Sequence, residues 1–305
     1  MKWLELSLQT PREYVEPLST IFNRYSDGGV AVELSGGYNP DEGELEPDTE
    51  LATVRSYLRV DQTTTFRKQQ IQVAIDLISK LCQLSDLQER YMSEDEWLES
   101  WKSHFSVLRI GNIVICPTWE SYLARPSDLL IKLDPGMAFG TGHHPTTQMC
   151  LEQLGYLLSA GMKVLDVGTG SGILAMAAAK LGADKVLALD IDPAAVKVAR
   201  SNIRYNDLQH LVSVRRSQGV DLDISDQCYD LVVANLYSKV ILDIGGKLLT
   251  QLAGGGHLIL SGILNKRSLE IQQHFENLGC IIETIHDEGD WVALVIANSK
   301  SVDNA

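Results

Sequence analysis

No apolar run in these 305 residues approaches the roughly 20 needed to cross a bilayer. The first residues, MKWLELSLQT, contain neither an apolar signal core nor an arginine-rich transit pattern, so a cytoplasmic protein without a membrane role is expected. Cysteine is sparse. Cys82, Cys116, Cys150, Cys228 and Cys280 are scattered, odd in number and never in a Cys-x-x-Cys pair. That pattern excludes a disulfide framework and reads as reduced, mostly structural thiols. Positive charge is also short, with 26 Lys and Arg against 40 Asp and Glu, a net charge of −14. Residues 1–105 hold 19 of those acids and 10 of the bases, net −9; the remaining 21 acids and 16 bases give −5. A protein that grips phosphate backbones needs a basic footprint, so direct nucleic-acid binding is not expected. Attraction to a basic protein partner is allowed, although charge alone favours a merely solvated acidic surface.

What the chain does have is glycine in a telling place. Lys163 to Val167 (KVLDV) is short, apolar and β-branched, the pattern of a buried parallel strand. Gly168, Gly170 and Gly172 follow, then an alanine-rich helical stretch, Ile173 to Leu181. Glycines let backbone approach a ligand, and the helix start offers unpaired N–H groups. A second strand, Lys185 to Leu189, ends at Asp190, where a carboxylate can accept from both hydroxyls of a ribose. A dinucleotide fingerprint would need its third glycine at position 173, which is Ile173. That disfavours a nicotinamide dehydrogenase. Asp166, two residues before alternating glycines, resembles the motif of Rossmann-like S-adenosylmethionine-dependent methyltransferases instead.

Upstream lies LDPGMAFGTGHHPTT, Leu133 to Thr147, leading into a helix from Thr146 to Leu158 with Pro145 as a plausible first residue. Its apolar centre, Met137 to Phe139, suits a loop folded over a cofactor pocket. The adjacent His143 and His144 point in different directions and have no Cys or acid at ligand spacing, so no metal is expected. This segment, VLDVGTGSGILA, the DIDP at Asp190–Pro193 and VVANL at Val232–Leu236 together resemble the ribosomal protein L-eleven methyltransferase family (PrmA). The likeness is good over residues 95 to 297 and is one of layout in the N-terminal third. The family often has Thr-His where this chain has His143-His144. The resemblance implies S-adenosyl-L-methionine as cofactor, contacts to it at Thr147, Gly168, Gly170, Asp190 and Asn235, and the basic large-subunit ribosomal protein L-eleven as substrate partner. The alternatives are a methyltransferase of the same fold acting on a different protein or a small-molecule amine, and a non-catalytic ribosome-assembly factor.

Asp230 to Ala234 reads as another core strand, ending at Asn235. In related amino-methylating enzymes an Asn-Pro-Pro-aromatic motif at this strand end holds a planar nitrogen. Here the run is Asn235-Leu236-Tyr237. Without the prolines it suits a flexible aliphatic amine, the lysine side chain that the resemblance implies, better than a nucleobase or glutamine. No residue is marked as a catalytic base. His144, Asn235 and Tyr237 are candidates for positioning, with Tyr237 reading equally well as packing at a helix start.

The expected fold is α/β: a Rossmann-like seven-stranded methyltransferase domain preceded by a small ferredoxin-like α+β domain. Residues 1–93 read as strand, helix, strand, strand, helix, strand, with helices over Pro11–Tyr25 and Thr64–Leu84 and an acidic loop over Gly36–Glu50. Residues 94–106 read as a connector helix opened by a Ser93–Glu96 capping box and carrying Trp97 and Trp101. The catalytic domain runs over 107–297, with a strand at Gly256–Leu260 and a final hairpin of Ile281–Ile285 and Trp291–Ile296. Residues 298–305 read as a disordered tail.

Overall fold

Residues Trp3 to Leu8 are buried without a break. The reason is position: strand β1 (Lys2–Pro11) is an inner strand of a sheet ordered β2-β3-β1-β4, all antiparallel, where β2 is Val30–Leu34, β3 Leu51–Arg59 and β4 Gln88–Ser93. In a strand successive side chains face opposite ways. Leu4, Leu6 and Leu8 meet Leu18 and Phe22 of helix α1 (Val15–Tyr25) and Ile71 and Ile75 of helix α2 (Thr64–Ile78). Trp3 joins Tyr57 and Met92 on the opposite face. Glu5, also on that face, is paired with Arg55 across the sheet. The βαββαβ order and the sheet order are those of a ferredoxin-like unit.

The computed structural model describes residues 2–27, 30–34, 51–94, 96, 106–134, 142–217 and 228–298. The chain divides into two compact units, Met1–His104 and Phe105–Ala305. The second opens with a three-stranded sheet of β5 (Leu108–Ile110), β6 (Ile113–Pro117) and β7 (Leu129–Leu133), in that order. The larger sheet alternates with helices: α3 (Pro145–Leu157), β8 (Lys163–Val167), α4 (Ile173–Leu181), β9 (Lys185–Asp190), α5 (Pro193–Tyr205), β10 (Val212–Arg216), β11 (Tyr229–Asn235), α6 (Ser238–Thr250), β12 (Leu252–Leu264), α7 (Asn265–Asn277), β13 (Cys280–Glu288) and β14 (Trp291–Asn298). Its order is β10-β9-β8-β11-β12-β14-β13. The first five strands are parallel and β14 runs antiparallel to both its neighbours.

Each face of this sheet carries a core. Val164, Leu231, Val233 and Ile259 face one way with the apolar residues of α4. Leu165, Val232, Ala234 and Leu260 face the other with Ile241, Ile271 and Phe275. The strand order reverses between β8 and β11. In open α/β sheets ligands bind beyond the carboxyl ends of strands at such a reversal, which puts the ends of β8, β9 and β11 at the expected place.

Two asparagines fasten the smaller sheet to α5. Asn206 accepts from the Lys132 N–H at 2.8 Å and donates to its carbonyl at 2.6 Å. One turn away, Asn202 accepts from the Asp134 N–H at 3.1 Å and donates to the carbonyls of Asp134 and Ser171, both at 2.9 Å. Each amide thus imitates a neighbouring strand at β7 and just beyond its end.

Several sequence expectations need correction. Strand β1 continues to Pro11, which pairs with Leu51, and a short 3-10 turn, Arg12–Tyr14, intervenes before α1 begins at Val15. Helix α2 stops at Ile78 rather than Leu84; Leu81 is exposed, and Leu84 reaches the core from outside the helix. Strand β12 is far longer than Gly256–Leu260, and its pairing with β14 shifts register between Leu260 and Ile263. Asn298 belongs to β14, opposite Cys280, rather than to a tail. The capping box is present: Glu96 accepts from the Ser93 N–H at 2.7 Å and its own N–H donates to Ser93 Oγ at 3.2 Å. Trp97, Trp101, the acidic loop from Gly36 to Glu50 and the Met137–Phe139 segment lie outside the described residues. No disulfide joins any of the five cysteines, and Cys116, Cys150 and Cys280 are buried.

Candidate cofactor and acceptor site

The chain leaves β8 at Val167 and must turn sharply into α4. Gly168 makes that turn at φ +79°, and its N–H and that of Thr169 donate to the carbonyl of Leu189 at the end of β9. A Cβ at Gly168 would lie 2.4 Å from Leu236 Cδ2, so the turn and the end of β11 are pressed together. Asp190 ends β9. One carboxylate oxygen accepts from the Gly170 N–H at 2.8 Å and the other from the Asp192 N–H at 2.9 Å. A carboxylate offers about four lone-pair sites, so each oxygen retains one for a ligand's hydroxyl.

Asp166 lies beneath the loop and is fully buried. Oδ2 accepts from Thr169 Oγ1 at 2.6 Å and from the Ala175 N–H at 3.2 Å, while Oδ1 has no hydrogen-bond partner among the described residues. Burial pushes this carboxyl up to about 7, against the pull of the Thr169 and Ala175 bonds and with a further push from the charge of Asp190. Burial also raises the thiol of Cys150, to which Asp166 adds.

Helix α3 brings the upstream motif to the same place. His144 caps it, with Nδ1 accepting from the Thr146 N–H at 3.3 Å, and Pro145 fills the first turn, where its missing N–H costs nothing. Thr146 and Thr147 are both buried. Asn235 Nδ2 reaches them, 3.1 Å from Thr146 Oγ1 and 3.3 Å from Thr147 Oγ1. His144 Nδ1 is 2.7 Å from Thr146 Oγ1, and its ring meets Trp291 edge-on at 5.0 Å. Burial lowers the His144 pKa. So Thr147 and Asn235 are in contact, Gly170 is bonded to Asp190, and Gly168 touches the residue after Asn235. Tyr237, 72% exposed, does not pack at the start of α6.

Gly262 escaped the sequence reading. At φ +82° in the β12 bulge, it lies so close to β11 that a Cβ would stand 2.4 Å from the Leu236 carbonyl oxygen and 3.1 Å from Asn235 Oδ1. A glycine interrupting an apolar strand is a recognised sign of close backbone approach, and Ser261-Gly262 after His257–Leu260 carries that sign. The His144–Thr146 bond left no comparable trace, since it depends on how α3 is capped.

The family model described as ribosomal protein L11 methyltransferase (PrmA) matches residues 2–299. The chain belongs to this family. A ribosomal protein L11 methyltransferase of Chloroflexus aurantiacus is 40% identical, over 96% of this chain and 97% of its own. One from Geobacillus kaustophilus is 39% identical, over 97% and 99%. Among solved structures, a ribosomal protein L11 methylase from Lactobacillus delbrueckii subsp. bulgaricus superposes with a TM-score of 0.58 at 34% identity, covering 63% of this chain and 98% of that one. Membership of the PrmA family and the Rossmann-like methyltransferase fold imply use of S-adenosylmethionine. The residues present fit it. The glycine turn has no side chain to intrude, Asp190 keeps lone pairs for ribose hydroxyls, and Asp166 Oδ1 is a buried acceptor beside the loop.

Proposed function

We propose that this protein methylates lysine side-chain amines of ribosomal protein L11, with the substrate's N-terminal amine as a second acceptor. The observation that carries the reading is the union of Asn235, Thr146 and Thr147 beside the glycine turn. It gathers the polar groups of the upstream motif and of β11 at one point of the sheet. Gly168, Gly170, Asp190 and Thr147 would hold S-adenosylmethionine, and Asn235 would stand between cofactor and acceptor. Bound there, S-adenosylmethionine supplies an electrophilic methyl group on a sulfonium. The protein's task is to align a neutral amine with it. A lysine amine has an ordinary pKa of about 10.4, so the site must strip water from it, which disfavours the ammonium form. Fixed geometry then supplies much of the rate, since effective molarities of about 10⁵ M or more are reached by well-oriented pairs. No described side chain is assigned as the base.

The N-terminal unit would recognise the substrate protein. Its helix α2 exposes Phe66, Val73 and Leu77. Offsets of seven and eleven residues put these on one helical face, and the excess of acid in residues 1–105 suits a basic partner. A cytoplasmic setting accords with such a substrate.

The test is intact-mass spectrometry of L11 from the same organism after incubation with the protein and S-adenosylmethionine. Stepwise gains of one methyl mass, lost in Asp190→Ala, support the proposal. Cofactor binding without mass gain overturns the substrate assignment while leaving the fold and family intact. Gains confined to another amine-bearing protein would favour a different acceptor.

A further inference from the structure

The amide of Asn235 can be placed two ways, with either its NH2 or its carbonyl toward the threonines, and only one of them presents an acceptor oxygen to a substrate. Hydrogen-bond polarity along the His144–Thr146–Asn235 chain selects between them. The Thr146 N–H donates to His144 Nδ1 at 3.3 Å, so Nδ1 holds a lone pair and no proton. That nitrogen is also 2.7 Å from Thr146 Oγ1. With Nδ1 as acceptor, the hydroxyl proton of Thr146 must point at it. Thr146 Oγ1 is then left with lone pairs only on its other side. The group 3.1 Å away on Asn235 must be a donor, which is Nδ2. The second N–H of the same amide is directed at Thr147 Oγ1, 3.3 Å away. Oδ1 therefore faces away from α3, on the side where Gly262 approaches with no side chain between.

We infer that His144 and Thr146 form a polarity lock that holds the carbonyl oxygen of Asn235 toward the acceptor amine. They are positioning residues: neither needs to touch the substrate. The lock has two supports of its own. Trp291 fixes the plane of the imidazole by an edge contact at 5.0 Å and 72°. Pro145 and the α3 cap fix the Thr146 N–H against Nδ1, so the tautomer is set by helix geometry and not by the amide it controls. An amine entering with an N–H toward Oδ1 would be oriented with its lone pair elsewhere, as transfer to nitrogen requires. The inference rests on the methyltransferase reading for its consequence, though not for its geometry.

The test has two arms. Nitrogen-15 NMR of histidine-labelled protein reads the tautomer of His144 without any reaction. An unprotonated Nδ1 is expected, and a protonated Nδ1 overturns the lock, because Thr146 would then accept from the ring. Steady-state kinetics with L11 form the other arm. Thr146→Val should lower kcat about 10- to 100-fold, the scale seen when an aligned polar contact is removed, with the affinity for S-adenosylmethionine changed less than about 3-fold. Thr146→Ser, which keeps the hydroxyl, should restore kcat to within about 3-fold. Equal rates for the valine and serine variants overturn the lock. If wild-type protein binds the cofactor but methylates no L11, the proposed substrate fails, and the tautomer alone decides the lock.

Discussion

Alanine at Gly262 should separate two costs that glycine usually combines. Gly262 and Gly289 both lie at positive φ, +82° and +58°. A left-handed backbone costs a residue with a Cβ about 1–2 kcal/mol, so both substitutions carry that term. They differ in surroundings. A Cβ at 289 meets nothing within 4 Å among the described residues, whereas at 262 it would stand 2.4 Å from the carbonyl oxygen of Leu236 and 2.8 Å from its carbonyl carbon. Those atoms are backbone, tied by the Leu236 N–H to the Ser261 carbonyl at 3.0 Å, and cannot rotate away as a side-chain tip could. Forcing them apart belongs with overpacking, about 1–3 kcal/mol. Gly289→Ala should therefore lose about 1–2 kcal/mol and Gly262→Ala about 2–5 kcal/mol. Differential scanning calorimetry of the full chain is the assay, since it can resolve the transition of the C-terminal unit. Methyl transfer should follow the same order, because the displaced backbone carries Asn235. Equal shifts in melting temperature for the two variants would refute the reasoning, as would a Gly262→Ala protein with undiminished kcat.

At Gly168 the obstruction is a side chain, Leu236 Cδ2 at 2.4 Å, so Gly168→Ala and Leu236→Ala should couple. Urea titrations of the two single variants and the double variant should show the double about 1 kcal/mol or more better than additive; strict additivity counts against the contact. Asn202→Ala removes three hydrogen bonds that tie the Asp134 backbone and the Ser171 carbonyl to α5. It should cost about 2–4 kcal/mol, with a shift below 0.5 kcal/mol in chemical denaturation contradicting the clamp. The raised carboxyl of Asp166, at about 7 in the folded protein against an ordinary value near 3.9, makes the folded state hold its proton longer. Its stabilising effect is full below pH 4 and is lost as pH rises through 7. Stability of the ligand-free protein should therefore decline across that window more steeply than in Asp166→Asn; parallel curves would exclude it. Asp128 is the opposite case. The Arg125 N–H, the Tyr122 hydroxyl and Arg109 hold it at about 2 despite an opposing desolvation effect. The stabilisation it brings is present above pH 4 and lost toward pH 2, and carbon-13 NMR should show its carboxyl still ionised at pH 3.

Much of this architecture was legible from local signals. KVLDV and KVLAL are buried parallel strands by composition, and α4 matches its expected limits, Ile173 to Leu181, because a glycine turn marks its start. The residues proposed for the cofactor side come from one stretch, because strand, glycine turn and following acid are close in sequence. Boundaries set by tertiary pairing were harder. Pro11 stays in β1 only because Leu51 lies opposite, and β12 extends only because β11 and β14 flank it. Asn202 and Asn206 looked like ordinary polar positions on a helix. Their role needs the backbone of Lys132, which is 74 residues from Asn206 in sequence. Tyr237 had equal claims as packing and as a positioning group, and only its exposure removes the first.

The missing prolines after Asn235 have a physical sequel. In the Asn-Pro-Pro arrangement, fixed φ angles stiffen the backbone that holds the acceptor nitrogen. Here Leu236 stands at the same point and is held from outside. Its N–H donates to Ser261, its side chain abuts Gly168, and its carbonyl is pressed by Gly262. A proline could not make the first of these bonds. The stiffness has moved from the residue itself to two glycines, one on the cofactor turn and one on β12. Such a contact links both neighbouring strands to the proposed acceptor position. A disturbance of the cofactor turn at Gly168 should thus reach Asn235 through one side chain. The Gly168–Leu236 cycle can read this link in kcat as well as in stability: a rate defect in Gly168→Ala that persists undiminished when Leu236 is truncated would show that it travels by another route.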